Sequence, residues 1–191
     1  MALSREQLID TAIAILRDNG LASLSMRNLA KELGVQPGAL YWHVKSKQDL
    51  LALVAERILT TSAGTAGQAL NDGDARQATV QIRAALLTVR DGAEIVSLAH
   101  ALDPRSLTPM RGLRLILARE LTQQQADWGA RVLTHYILGA VAEEQNRTEL
   151  ARAGLLPDDT RSDYTVEAYL FGIDVILSGL NLISARTFQE P

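Results

Sequence analysis

The sequence predicts an all-α protein in two parts, a three-helix N-terminal unit over residues 1–47 and a larger helical body over 48–191. Three observations predict it. Apolar residues recur at helical spacing in every long segment, and no segment shows the two-residue alternation of a strand. Aromatic residues are 4% of the chain, so the core must be built from Leu, Ile, Val and Ala, which suits helix-on-helix packing. Glycine and proline punctuate the periodic segments, at Gly20, Gly34, Gly92, Pro104 and Pro157. At 191 residues, with 47% apolar and 21% charged residues, the chain has an ordinary soluble composition and can bury a sizeable core.

Taken in order, Ser4 with Gln7 forms the pattern of a capping box. Leu8, Ile9, Ala12, Ile13 and Leu16 then share one helical face until Gly20. Ser25 caps a short second helix with Leu29, Ala30 and Leu33 inward, and Gly34 ends it. Gly34 and Val35 join it to a third helix, Pro37 to His43, with proline at the first position, where its missing N–H costs nothing. Ser46 caps a fourth, longer helix carrying Leu50, Leu51, Val54, Ile58 and Leu59 on one side, and the polar segment 64–73 reads as a hinge or loop. Helices are predicted over 75–89, 94–102, 107–121, 123–153 and 163–185. The most apolar stretch, Val166 to Ile183, contains Glu167 and Asp174, whose cost at mid-bilayer argues for a buried helix rather than a membrane span.

Several function classes are excluded or disfavoured. With no cysteine there is neither a disulfide nor a thiolate metal site. The segment Met1 to Gln7 carries charge before any apolar run, so no secretory signal is read there and the expected location is cytoplasmic. A helical enzyme finds no support in a nucleophile elbow, a phosphate loop or an H-E-x-x-H pair. The net charge of −3 is uneven: residues 1–47 hold six Lys/Arg against four Asp/Glu, while 48–191 hold thirteen against eighteen. A basic end on an acidic body fits contact with DNA by that end alone.

Two short helices around a glycine turn, the second opening with Gln-Pro, form a helix-turn-helix whose second helix is sized for the major groove. That spacing alone is common among helical proteins. The next stretch, Leu40-Tyr41-Trp42-His43-Val44-Lys45-Ser46-Lys47, adds phosphate-binding donors at Tyr41, His43 and Lys47. Trp42 is expected to pack between helices, Tyr41 to serve the surface, and Lys45 with Lys47 to meet phosphates.

These residues, with Ser25-Met26-Arg27-Asn28-Leu29-Ala30 and Leu33-Gly34-Val35, closely resemble the tetracycline-repressor (TetR) family of transcription regulators. Leu87 with Arg90-Asp91-Gly92-Ala93, Leu138-Gly139-Ala140-Val141, Glu143-Glu144-Gln145, Leu170-Phe171-Gly172 and Ser178-Gly179-Leu180 resemble the regulatory domain of the tetracycline repressors. The resemblance implies a homodimer through the last two long helices, double-stranded DNA with a palindromic operator as partner, and a small-molecule inducer held in the C-terminal body. It places Arg27, Gln36, Pro37, Gly38 and Ala39 against the bases. Gln36 and Pro37 sit one place earlier than in the tetracycline repressors, so a different operator is expected. Arg27 can read a guanine and Gln36 an adenine, each pair discriminating by about 1–3 kcal/mol.

In the body, the position where the resemblance implies a magnesium-ligating histidine is Val96, and His100 follows one turn later. No cofactor and no protein-held metal are therefore expected, and magnesium enters only with a tetracycline chelate. Glu143 matches an acidic pocket residue contributed by the partner subunit. Ala63, Ala78, Ile82, Ala99, Gly112 and Leu113 fall at or beside other pocket positions, which predicts an apolar, uncharged or cationic ligand. His135 and Tyr136 are read as interface packing, and the small residues Gly139, Ala140, Gly172 and Gly179 as close-approach points. A regulator of the same fold without an inducer, partner-controlled or constitutive, and an activator rather than a repressor, stay open from sequence.

Overall fold

The computed structural model describes residues 3–61, 73–156 and 166–187, and the predicted hinge at 64–73, Ala63, Pro157 and the start predicted at Asp163 lie largely or wholly outside them. The described residues form nine α-helices and no strand: α1 (Arg5–Asn19), α2 (Met26–Glu32), α3 (Pro37–Leu40), α4 (Lys47–Thr61), α5 (Ala75–Leu87), α6 (Gly92–Leu102), α7 (Thr108–Leu117), α8 (Gln123–Arg152) and α9 (Val166–Thr187).

The local rules that predicted these elements are visible in their bonds. The Gln7 amide donates to Ser4 Oγ (3.1 Å) while the Ser4 amide donates to Gln7 Oε1 (2.9 Å), so two orphan donors at the start of α1 are satisfied reciprocally. Ser46 caps α4 through the Asp49 amide, and Thr122 with Gln125 repeats the box at α8. Gly34 adopts φ +65, the left-handed conformation that glycine reaches without penalty. The expected inward residues Leu8, Ala12, Leu16, Leu29, Leu50, Val54 and Leu59 are all buried.

Three expectations need correction. The third helix is regular only over Pro37–Leu40 and continues as turns, held by His43 N–H and Val44 N–H both donating to the Leu40 carbonyl. The chain does break beside Gly92, but α6 starts at that glycine rather than at Glu94, and a Cβ there would lie 2.2 Å from the Leu86 carbonyl oxygen. The residue that turns the chain is Asp91, at φ +58. Finally, α9 is not a buried helix: among its described side chains only Tyr169 and Ile173 are buried, and Phe171, Val175, Leu182 and Ile183 face outward. By length and composition α9 could cross a bilayer. It is instead docked on the body, where the Tyr169 hydroxyl donates to the Thr79 carbonyl (2.9 Å) and Arg76 pairs with Asp174 (2.7 Å).

The apolar core is continuous from Leu8 to Ile173. Helix α4 links its halves, packing on α1 at one end and on α6 along its length. Arg57 of α4 pairs with Asp10 of α1 (2.7 Å), and the Thr108 amide donates to Glu56 (3.0 Å). Long helices stacked on one apolar seam bury enough surface to fix how the N-terminal unit sits on the body.

Candidate nucleic-acid interface and regulatory core

The N-terminal unit presents α2 and α3 to solvent from a rigid base. Ser25 Oγ accepts from the Asn28 amide (3.1 Å), Asn28 Nδ2 donates to the Ser23 carbonyl (3.1 Å), and the Val35 amide closes the turn on the Ala30 carbonyl (3.0 Å). Leu29, Ala30, Leu40 and Val44 anchor the inner side. The outer side carries Arg27, Gln36, Pro37, Gly38, Tyr41, Lys45 and Lys47, all exposed, with Ala39 and His43 half-buried. Arg27 and Lys31 border one concavity with Ser25 and Asn28. Among the described residues, none of Arg27, Lys31, Lys45 and Lys47 takes part in an ion pair. Unneutralised cations on one face make an electrostatic footprint for polyanion binding. A Cβ at Gly38 would meet nothing within 4 Å, so internal packing does not require glycine there.

Trp42 overturns its expected packing role. It is 90% exposed, because the chain leaves α3 in turns that aim the indole outward beside Tyr41. An indole left in water on the cationic face is a contact surface rather than core.

In the body, Ile82 of α5, Val96 of α6 and Leu113 of α7 meet in the buried cluster together with Ala78 and Ala99. His100 is half-buried at the end of α6. Its Nδ1 is buried without a hydrogen-bond partner, and burial, followed by the charges of His135 and Arg131, pushes its pKa below the usual 6.5. Glu143 stands apart from these, exposed on α8. Among the described residues no group of three His, Cys, Asp or Glu side chains could hold a metal ion. Tyr136 packs within its own chain, stacked on Tyr169 at 5.7 Å with its hydroxyl donating to the Tyr169 carbonyl, while His135 is exposed. Tyr136 fits closely because Gly172 lies beneath it.

The resemblance puts the coupling between the body and the fourth helix at the Arg90-Asp91-Gly92 turn, but sequence reasoning missed the partners that hold this turn and join it to the N-terminal unit. Gln145 of α8 donates to the carbonyls of Leu86 (3.1 Å) and Val89 (2.8 Å) and accepts from the Ala93 amide (3.2 Å), holding the α5–α6 turn from both sides. From that turn Asp91 Oδ2 accepts the Leu21 amide at 2.7 Å, just beyond α1. A Cβ on Gly20 would come within 2.8 Å of the same carboxylate. The available signal was the Asp-Gly pair, whose aspartate tolerates the left-handed region. Nearby, Arg83 is bidentate to Glu144 (2.7 Å) and lies over the Tyr169 ring, tying α5, α8 and α9 together.

An exposed cationic helix-turn-helix mounted on a helical body defines a DNA-binding transcription regulator. Residues 8–54 match the family model described as bacterial regulatory proteins, tetR family, and residues 71–164 match the tetracyclin repressor-like C-terminal domain. The chain belongs to the TetR family. Among its relatives, the tetracycline repressor protein class D of Escherichia coli is 29% identical over 94% of this chain and 90% of its own length. Among solved structures, BioQ with its natural double-stranded DNA operator superposes with a TM-score of 0.73 at 31% identity, covering 93% of this chain and 98% of that one. A TetR variant from Acinetobacter baumannii AYE in complex with minocycline superposes with a TM-score of 0.72 at 28% identity, covering 95% and 98%.

Proposed function

We propose that this chain is a cytoplasmic homodimeric repressor that holds a palindromic operator with residues 1–47 and is released when a small molecule binds the body, residues 48–191. The observation that carries the proposal is the bonded path from Gln145 through the α5–α6 turn to Asp91 and the Leu21 amide. A ligand that shifts α6 against α8 must move that turn, and with it the N-terminal unit. Operator affinity then falls by the ligand's differential affinity for the two arrangements.

Dimerisation is supported by the apolar face left open on α8 and α9, where Trp128, Val132, Phe171, Val175 and Leu182 are exposed. Two copies joined there present two recognition helices, which suits half-sites about 34–36 Å apart. Arg27 and Gln36 to Ala39 read bases, and Tyr41, His43 and Lys47 hold phosphates. The core around Ile82, Val96 and Leu113, rimmed by His100 and by Glu143 from the second copy, is the part that senses the ligand. BioQ with its operator supports the DNA half of this reading, and the minocycline complex supports the sensing half.

The test is selection of operators from random duplexes with the purified chain, followed by release of the selected duplex with a panel of hydrophobic compounds. A palindrome displaced by one compound is the expected result. Failure to enrich any palindrome would sink the proposal, as would a monomer by light scattering at micromolar concentration.

A further inference from the structure

We infer that the cleft between the end of α1, the α5–α6 turn and the last two turns of α8 is a second effector site, built for a phosphate group that is free or carried as a monoester. The inference goes beyond the ligand-gated reading above and does not use it, since the cleft lies apart from the core at Ile82, Val96 and Leu113.

The cleft has a volume of about 390 Å³, room for a phosphoryl group with a small organic body. Arg17 enters it from α1, Arg90 and Asp91 from the α5–α6 turn, and Glu149 and Arg152 from α8. Its walls therefore belong to both the N-terminal unit and the body. Arg90 already lies against the end of α1, where its Nε and Cδ would be 3.3 and 3.4 Å from a Cβ on Gly20. On α8, Gln145, Thr148 and Arg152 continue the helical face of the buried Val141. The open apolar face with Trp128 and Val132, proposed above for the second copy, lies on the other side of that helix.

Three guanidiniums meet two carboxylates in this cleft, and both carboxylates are already engaged. Asp91 Oδ2 accepts the Leu21 amide (2.7 Å). Glu149 is shared, Oε2 with Arg90 Nη2 and Oε1 with Arg152 Nη1, each at 2.7 Å. Each of these two guanidiniums spends one nitrogen on the pair and keeps donors for a ligand. Arg17 takes part in no ion pair among the described residues. The cleft is thus cationic beside a body that holds thirteen Lys/Arg against eighteen Asp/Glu. Donors that converge from three separate elements suit a tetrahedral dianion, whose several oxygens each receive one, whereas a planar carboxylate takes a single fork. A phosphomonoester carries close to two charges above its second pKa of about 6. Leu87 and Val89 supply an apolar edge for the organic part of such an ester. A phosphate held by Arg17 on one side and by Arg90 and Arg152 on the other bridges the N-terminal unit and the body at the junction that Asp91 closes. It favours the arrangement in which those guanidiniums converge, and operator affinity shifts by that coupling.

The test titrates inorganic phosphate, phenyl phosphate and benzoate by calorimetry into the full chain at pH 7.5 and low salt. Phenyl phosphate is expected to bind with a Kd below about 1 mM and at least about tenfold more tightly than benzoate. Arg17→Gln and Arg152→Gln should each weaken it about tenfold, the effect of one charge-assisted contact, while Arg27→Ala on the DNA-reading face should leave it unchanged. Inorganic phosphate that binds at least as tightly as phenyl phosphate assigns the free ion; tighter binding of the phenyl ester assigns a monoester lying over Leu87 and Val89. Unchanged far-UV circular dichroism and phosphate-free operator affinity show that Arg17→Gln keeps the fold. No binding of either phosphate at millimolar concentration, benzoate as tight as phenyl phosphate, or binding that survives Arg17→Gln overturns the inference. Saturating phenyl phosphate should also change operator affinity about fivefold or more in the parent and not in Arg17→Gln. No change in the parent, or an equal change in both, overturns the effector role.

Discussion

Asp91 allows the junction to be tested as a series, because its backbone and its side chain do separate things. Its carboxylate accepts the Leu21 amide at 2.7 Å in a half-buried setting, a charge-assisted bond whose loss leaves an unpaired N–H and costs about 1.5–3 kcal/mol. Its backbone sits at φ +58, where a Cβ without a local polar compensation costs about 1 kcal/mol more. Asp91→Ala loses both, for about 2.5–4 kcal/mol. Asp91→Gly loses the bond but relieves the φ, which puts it about 1 kcal/mol above alanine in stability. Asp91→Asn keeps an acceptor and tolerates the left-handed region, so its cost stays below about 1 kcal/mol. Urea unfolding at fixed protein concentration gives the three values, and operator affinity should fall in the same order. If alanine and glycine are equally stable, the strain argument is wrong. If all three lie within about 0.5 kcal/mol of the parent, the bond does not join the two parts.

Trp42→Ala should leave stability within about 0.5 kcal/mol, since the indole is almost wholly exposed, while raising the operator Kd about tenfold; a loss of stability with unchanged Kd would return Trp42 to a packing role. Arg27→Ala should cost about 1–3 kcal/mol of operator binding and relax selection at one base position, whereas Lys47→Ala should weaken all sequences alike and reduce the salt slope by about 1. Gly92→Ala forces a Cβ against the Leu86 carbonyl and should destabilise by about 3 kcal/mol, read as a lowered urea midpoint. For His100 the folded pKa lies below the unfolded value of 6.5, so the unfolded chain takes the proton first. Stability should therefore be flat above that pH and fall as pH drops from 6.5 towards the folded pKa. His100→Asn should flatten that fall, and an unchanged pH profile in this variant would refute the assignment.

Much of this protein is legible in one dimension because its determinants are local. The capping boxes at Ser4 and Thr122, the glycine at Gly34 and the proline opening α3 act within four residues of themselves, so pattern alone marks the helices. The helix-turn-helix is equally local: the resemblance puts Arg27 and Gln36 to Ala39 against the bases, and the donor types at Tyr41, His43 and Lys47 mark the phosphate side. Errors arose where a neighbour far along the chain decides. Trp42 carries the residue type of a core side chain, and only the path of the turns after Leu40 puts it in water. Composition marked α9 as buried, yet in a single chain its outer face has nothing to lie against.

The sequence by itself determined the helical class, the helix boundaries to within a few residues, and a cationic reading face at the N-terminal end, because propensity, capping and period are properties of short segments. Tertiary structure alone decided that Asp91 bonds Leu21 seventy residues away, that Gln145 holds the turn between α5 and α6, and that Arg83 meets both Glu144 and the Tyr169 ring. Those pairings join residues whose separation along the chain carries no period. They exist only once the apolar seams of α4, α6 and α8 have closed on one another and fixed which polar groups are left to meet.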